Sequence, residues 1–172
     1  MTLPIKKFRE ITFLLLYSAD MSDAESSDMI DMLSKELKVS KSHIRKALDQ
    51  MSIVKAKQDE IDALIATETH SYEFKRIHTV ERNILRLGVY EMIFDDKIPP
   101  KVAITEAMRL GKKFGTPASV AFINAIMDHL YKLNQGESSD PEEVAKTLDE
   151  LVEDDKLAEQ IELPDPDEQE PE

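Results

Sequence analysis

At 172 residues, 41% of them apolar, the chain is long enough for one ordinary domain plus an extension. It contains no cysteine, which excludes a disulfide framework, a thiolate zinc site and a cysteine nucleophile; four glycines leave little turn chemistry for a β-rich fold. The net charge of −13 is unevenly spread: residues 137–172 hold 16 Asp and Glu against Lys146 and Lys156, while the first 136 residues carry 20 bases and 19 acids. A near-neutral body is compatible with nucleic-acid binding even though the whole chain is acidic.

Helical periodicity dominates from end to end. A first helix begins near Pro4, where proline suits the first turn, and runs to about Asp20. Its apolar run, Ile11 to Tyr17, is too short to cross a bilayer, and no small-residue cleavage site follows. The expectation is a cytoplasmic protein with no membrane partner. Ser22-Asp-Ala-Glu25 reads as a capping box opening a second helix to about Leu37. Ser40 is the N-cap of a third, with Ile44, Leu48 and Met51 along it, and a fourth covers roughly 57–68. One continuous helix from Phe74 to Phe94 places Ile77, Val80, Ile84 and Leu87 on one face; Asp95-Asp96 and Pro99-Pro100 stop it. The next runs from Lys101 to Phe114 with Gly115 as C-cap. Thr116-Pro117 opens the last, which Asn134-Gln-Gly136 closes. The expected fold is all-α, about seven helices, filling a domain over 1–136. Beyond it, 137–163 reads as an acidic amphipathic helix carrying Val144, Leu148, Leu151 and Val152, and 164–172 as a disordered acidic tail.

Catalysis leaves little trace. There is no Walker loop, dinucleotide fingerprint, HExxH or nucleophile elbow, and the histidines at 43, 70, 78 and 129 are scattered. Neither an enzyme, a metal nor a cofactor is expected. Basic residues say more. Lys6, Lys7 and Arg9 open the first helix beside Phe8, Phe13 and Tyr17, and residues 35–57 hold seven cations against Glu36 and Asp49. Such cations bind phosphates by releasing counterions, and exposed aromatics can stack unpaired bases. Lysine-rich helix faces are more often simply solvated, and the aromatics more often core. Asn124, inside an otherwise apolar helix, reads as a buried crosslink between helices. The charge split also suggests that the acidic segment 141–161 folds back on the basic surface near residues 6–9 or 35–57.

Three phrases stand closely spaced: VERNILRLGVYE (80–91), VAITEAMRLGKKFG (102–115) and FINAIMD (122–128). With Arg76-Ile77, Arg9-Glu10 and Leu16-Tyr17 they resemble the NusB family over roughly residues 3–134. The resemblance implies two packed helical subdomains and a non-enzymatic antitermination factor that binds boxA-like RNA. The implied partners are a NusE-like ribosomal protein, the transcription elongation complex and, as in some members, a second copy of the chain. Carried over, Lys6, Lys7, Arg9, Lys101 and Phe122 would lie at the RNA, and Tyr17, Glu81, Arg86 and Phe114 at or behind the NusE-facing surface. The basic segment reads IKKFR, with lysines where the family often has arginines, which forfeits the bidentate phosphate fork. Thr105 replaces a usual Asn, Ala125 a common Gly and Tyr72 a frequent Trp. An alternative is a protein-interaction module of the same fold with a weakened RNA site. The same domain resembles the N-terminal module of certain ribosomal RNA methyltransferases, but no fused catalytic domain is expected in a chain ending at Glu172.

Overall fold

In the computed structural model, residues 2–22, 26–69 and 74–136 are described, and these form seven α-helices with no strand among them. They are α1 (Ile5–Met21), α2 (Ser26–Leu37), α3 (Lys41–Ala56), α4 (Gln58–Glu68), α5 (Thr79–Val89), α6 (Pro100–Phe114) and α7 (Pro117–Asn134). Residues 23–25 of the expected capping box, Tyr72 and both segments beyond residue 136 lie outside the described residues.

Helix α1 belongs to two cores at once, because its apolar residues wrap around it. Ile11 and Leu15 pack with Met29, Leu33, Ile44 and Ala47 of α2 and α3. Phe13 and Leu16, on the opposite side, join the larger core built from α4 to α7 with Val54 of α3. The result is two helical subdomains, as the family resemblance implies, joined through α1 and the C-terminal half of α3, where Met51 packs on both cores. The larger core is aliphatic: Ile61, Ile65, Ile84, Leu85, Leu87, Leu110, Ile123 and Ile126 are all fully enclosed. Gly88 lets three helices approach closely, since a Cβ there would stand 2.9 Å from the Met127 methyl and 3.2 Å from the Ala107 Cβ.

The helix ends follow the local chemistry. Ser40 caps α3, its Oγ accepting from the His43 backbone N–H. Thr116 and Ser119 form a reciprocal capping box at α7 with Pro117 in the first turn. Gly136, at φ 78°, ends the same helix in the left-handed region.

Two expectations need correction. The continuous helix over 74–94 is three pieces: a 3₁₀ turn (Phe74–Arg76), α5, and a wide π turn over Tyr90–Phe94. Extended backbone at His78 separates the first two, and the Asp95 N–H reaching back to the Tyr90 carbonyl at 3.2 Å closes the wide turn. Asn124 is exposed rather than buried. The crosslinking asparagine is Asn83, whose side-chain amide donates to Asp20 of α1 at 3.0 Å and to the Thr79 carbonyl at 2.8 Å.

Candidate nucleic-acid interface

The first turns of α1 lie against the C-terminal half of α6 and the π turn, and a chain of charges joins the three. Arg9, 5% exposed, donates through Nε to both Glu91 oxygens at 2.8 and 3.0 Å, and its Nη1 meets Glu106 at 3.0 Å. Glu10, on the neighbouring face, accepts from Arg109 at 2.7 Å and Lys113 at 2.8 Å, with Lys7 at 3.8 Å. Arg109 closes the ring by donating to Glu106 at 2.8 Å and to the Lys6 carbonyl at 3.3 Å. Burial alone would raise the Glu10 carboxyl, but hydrogen bonds and charge from Lys113 and Arg109 outweigh it and hold it below the ordinary range. At Glu91 the balance reverses. Burial raises that carboxyl, with Asp95 and Glu106 adding to the push, and the Arg9 bonds offset only part of it.

The residues expected at the RNA therefore divide. Lys6 is exposed at the N-terminal end of α1. Lys7 is half-buried and leans on Glu10. Arg9 is a buried strut between α1, the π turn and α6, with its donors directed at carboxylates rather than at solvent. Lys101 is exposed in the first turn of α6, about 12 Å along that helix from Arg109. Phe122 is half-buried against the larger core. Sequence reasoning missed Glu10, Glu106, Arg109 and Lys113 as organisers of this corner. Their local signals are two i, i+3 pairs, Lys7 with Glu10 and Glu106 with Arg109; the bonds from Arg109 and Lys113 to Glu10 cross about a hundred residues of chain.

The residues expected at or behind the partner surface form a second group at the other end of α1. Tyr17 and Phe114 both pack on Phe13, with ring centroids 6.2 and 4.9 Å apart. Glu81 is largely enclosed and accepts a short hydrogen bond from the Ser119 hydroxyl, which places its carboxylate at the N-terminus of α7, where the helix dipole favours a negative charge. Arg86 donates to both oxygens of Asp62 at 2.8 Å, lies 3.4 Å from Asp20, and sits 5.7 Å from the Phe74 ring centroid. Arg82 adds a 2.6 Å bond to Asp20. Burial would raise the Asp20 carboxyl, but Arg82, Asn83 and Arg86 together lower it. Glu81 and Arg86 act as supports that hold α1, α4, α5 and α7 together.

No group of three or more potential metal ligands exists among the described residues, and no described helix is long and apolar enough to cross a membrane.

Comparison with known proteins gives this arrangement its context. The NusB family model matches residues 6–132. The transcription antitermination protein NusB of Desulfosudis oleivorans is 30% identical over 146 residues, spanning 83% of this chain and 95% of the relative. That of Agathobacter rectalis is 35% identical over 123 residues, spanning 70% and 94%. Among solved structures, T. maritima NusB superposes with a TM-score of 0.65 at 29% identity, covering 77% of this chain and 93% of its own. A NusB crystallised with NusE and double-stranded RNA superposes at 0.64 with 27% identity, covering 75% and 96%. With the family model covering both helical subdomains, and relatives matched over nearly their whole length, this chain belongs to the NusB family.

Proposed function

We propose that this protein is a non-enzymatic transcription antitermination factor of the cytoplasm. It binds boxA-like single-stranded RNA together with a NusE-like ribosomal protein in the elongation complex and promotes processive transcription of ribosomal RNA genes. The observation that carries this reading is family membership across residues 6–132, with a structural neighbour solved in complex with NusE and RNA. The exposed Lys6 and Lys101 supply free cations for phosphate, and Tyr17 and Phe114 offer partly open aromatic surface on either side of Phe13. The test is a titration of labelled boxA-like RNA with and without a NusE protein. Binding is expected to be weak alone and tighter with NusE. Each phosphate contact should add roughly 0.7 to the slope of log affinity against log salt. Lys6→Ala should weaken binding several-fold and flatten that slope by about one contact. Equal affinity for boxA-like and scrambled RNA in the presence of NusE would sink the reading.

One observation favours a second reading. Arg9, and to a lesser degree Lys7, are engaged by carboxylates of the protein itself, which thins the free charge at the start of α1. A NusB fold that binds only its protein partner has that property. Pull-down of NusE that is indifferent to RNase treatment, together with no measurable RNA affinity, would favour it.

A further inference from the structure

Two of the three cations at the start of α1, Lys7 and Arg9, are already engaged by carboxylates. At the α1–α6 corner, Lys7, Arg9, Arg109 and Lys113 are already bonded to Glu10, Glu91 and Glu106. The α2–α3 hairpin differs. Lys35, Lys38, Lys41 and Arg45 are all exposed. Lys41 meets Asp31 at 2.8 Å, and Lys35 and Arg45 lie close enough to join it in holding the fully exposed Asp31 carboxyl below its ordinary value. Over residues 26–57, which hold both helices, Asp28, Asp31, Glu36 and Asp49 stand against seven cations, of which Lys41 pairs with Asp31 and Lys57 with Glu60. Met32, 54% exposed, stands one turn before Lys35 on the same helix and gives the patch an apolar element.

The same chain carries the complement. Residues 137–172 hold 16 carboxylates against Lys146 and Lys156, and Val144, Leu148 and Leu151 recur at helical spacing among them. We propose that residues 137–172 dock on the cationic face of α2 and α3, their carboxylates on Lys35, Lys38, Lys41 and Arg45 and their apolar positions towards Met32. Tethering makes the association intramolecular, at an effective concentration that can reach the millimolar range. Individually weak surface pairs therefore suffice together where they would fail between separate molecules. Docking covers four exposed cations of α2 and α3, so any polyanion that used them would have to displace the tail. The inference stands independently of the RNA reading, because it needs no ligand to be observed.

The absence of cysteine makes the test direct. In the full-length chain, Ala158→Cys carries one nitroxide spin label, and amide spectra are compared with the label oxidised and reduced. At about 0.05 M salt the amides of residues 35–46 should lose most of their intensity. That loss should vanish at roughly 1 M salt, where the screening length falls to about 3 Å. A variant combining Lys35→Glu, Lys41→Glu and Arg45→Glu, all exposed sites, should fold normally and show no such loss. Broadening centred on the first turn of α1 and the last turn of α6, spread evenly over the body, absent, or unchanged by the charge reversals would each overturn the proposal. A spectrum in which boxA-like RNA relieves the broadening identifies RNA as a competitor of the docked tail; one in which it does not leaves docking intact and shows that the RNA does not use this face.

Discussion

Arg9 shows how far a residue's surroundings can redirect it. In sequence it belongs to a basic segment next to two lysines; in the fold it is enclosed and shared between Glu91 and Glu106. A buried ion pair is weak evidence of net stabilisation, but breaking one leaves an uncompensated charge. Arg9→Ala should therefore lower unfolding stability by about 3–5 kcal/mol in urea titrations. Because burial already raises the Glu91 carboxyl, the deficit should shrink on acidification as Glu91 takes up a proton. A deficit independent of pH would show that Glu91 stays ionised without Arg9. The wild-type pH profile has two opposing parts. Glu10 and Asp20, held below the ordinary range, contribute stability that is present above their unfolded values and lost as pH falls through the lowered ones. Glu91, held above it, contributes in the opposite sense, favouring the fold at low pH and losing that contribution as pH rises through its raised value. Three lowered carboxyls, Glu10, Asp20 and the exposed Asp31, against the one raised at Glu91 should make the urea midpoint fall below about pH 4, and Asp20→Asn should flatten part of that decline.

At the scale of elements, capping signals were legible and helix continuity was not. Ser40, Thr116-Pro117 and Gly136 mark real ends because a cap is made within three or four residues of chain. The break after Arg76 and the wide turn at Tyr90–Phe94 interrupt a pattern whose apolar residues continue through both. The wide turn carries Glu91 and Met92 into the interior, where Glu91 meets Arg9 of a helix more than eighty residues away; no local spacing encodes that demand. Close packing in the same region rests on Gly88. Gly88→Ala gains about 1 kcal/mol of helix propensity but forces contact with Met127 and Ala107, and overpacking of this kind costs about 1–3 kcal/mol. The expected outcome is a net loss in denaturation experiments, partly recovered by adding Met127→Leu, which removes the nearer terminal methyl. A stabilised Gly88→Ala protein would mean that the Met127 side chain has room to move aside.

At the scale of the molecule, the all-helical class, the helix order and the family were all present in the sequence. The first two are readable because apolar periodicity and caps are properties of short stretches of chain. The family is readable because VERNILRLGVYE, VAITEAMRLGKKFG and FINAIMD keep charged and small residues at fixed positions that apolar packing alone does not require. The tertiary structure decided which cations are free. Lys6, Lys7 and Arg9 are neighbours in sequence, yet one is exposed, one half-buried and one enclosed, because a helix turns each successive side chain through about 100°. The carboxylates that meet them come from α1 itself, the π turn and α6. Charge can be counted along a chain, but whether a charge is neutralised depends on partners within a few ångströms, and those are brought together only by the fold.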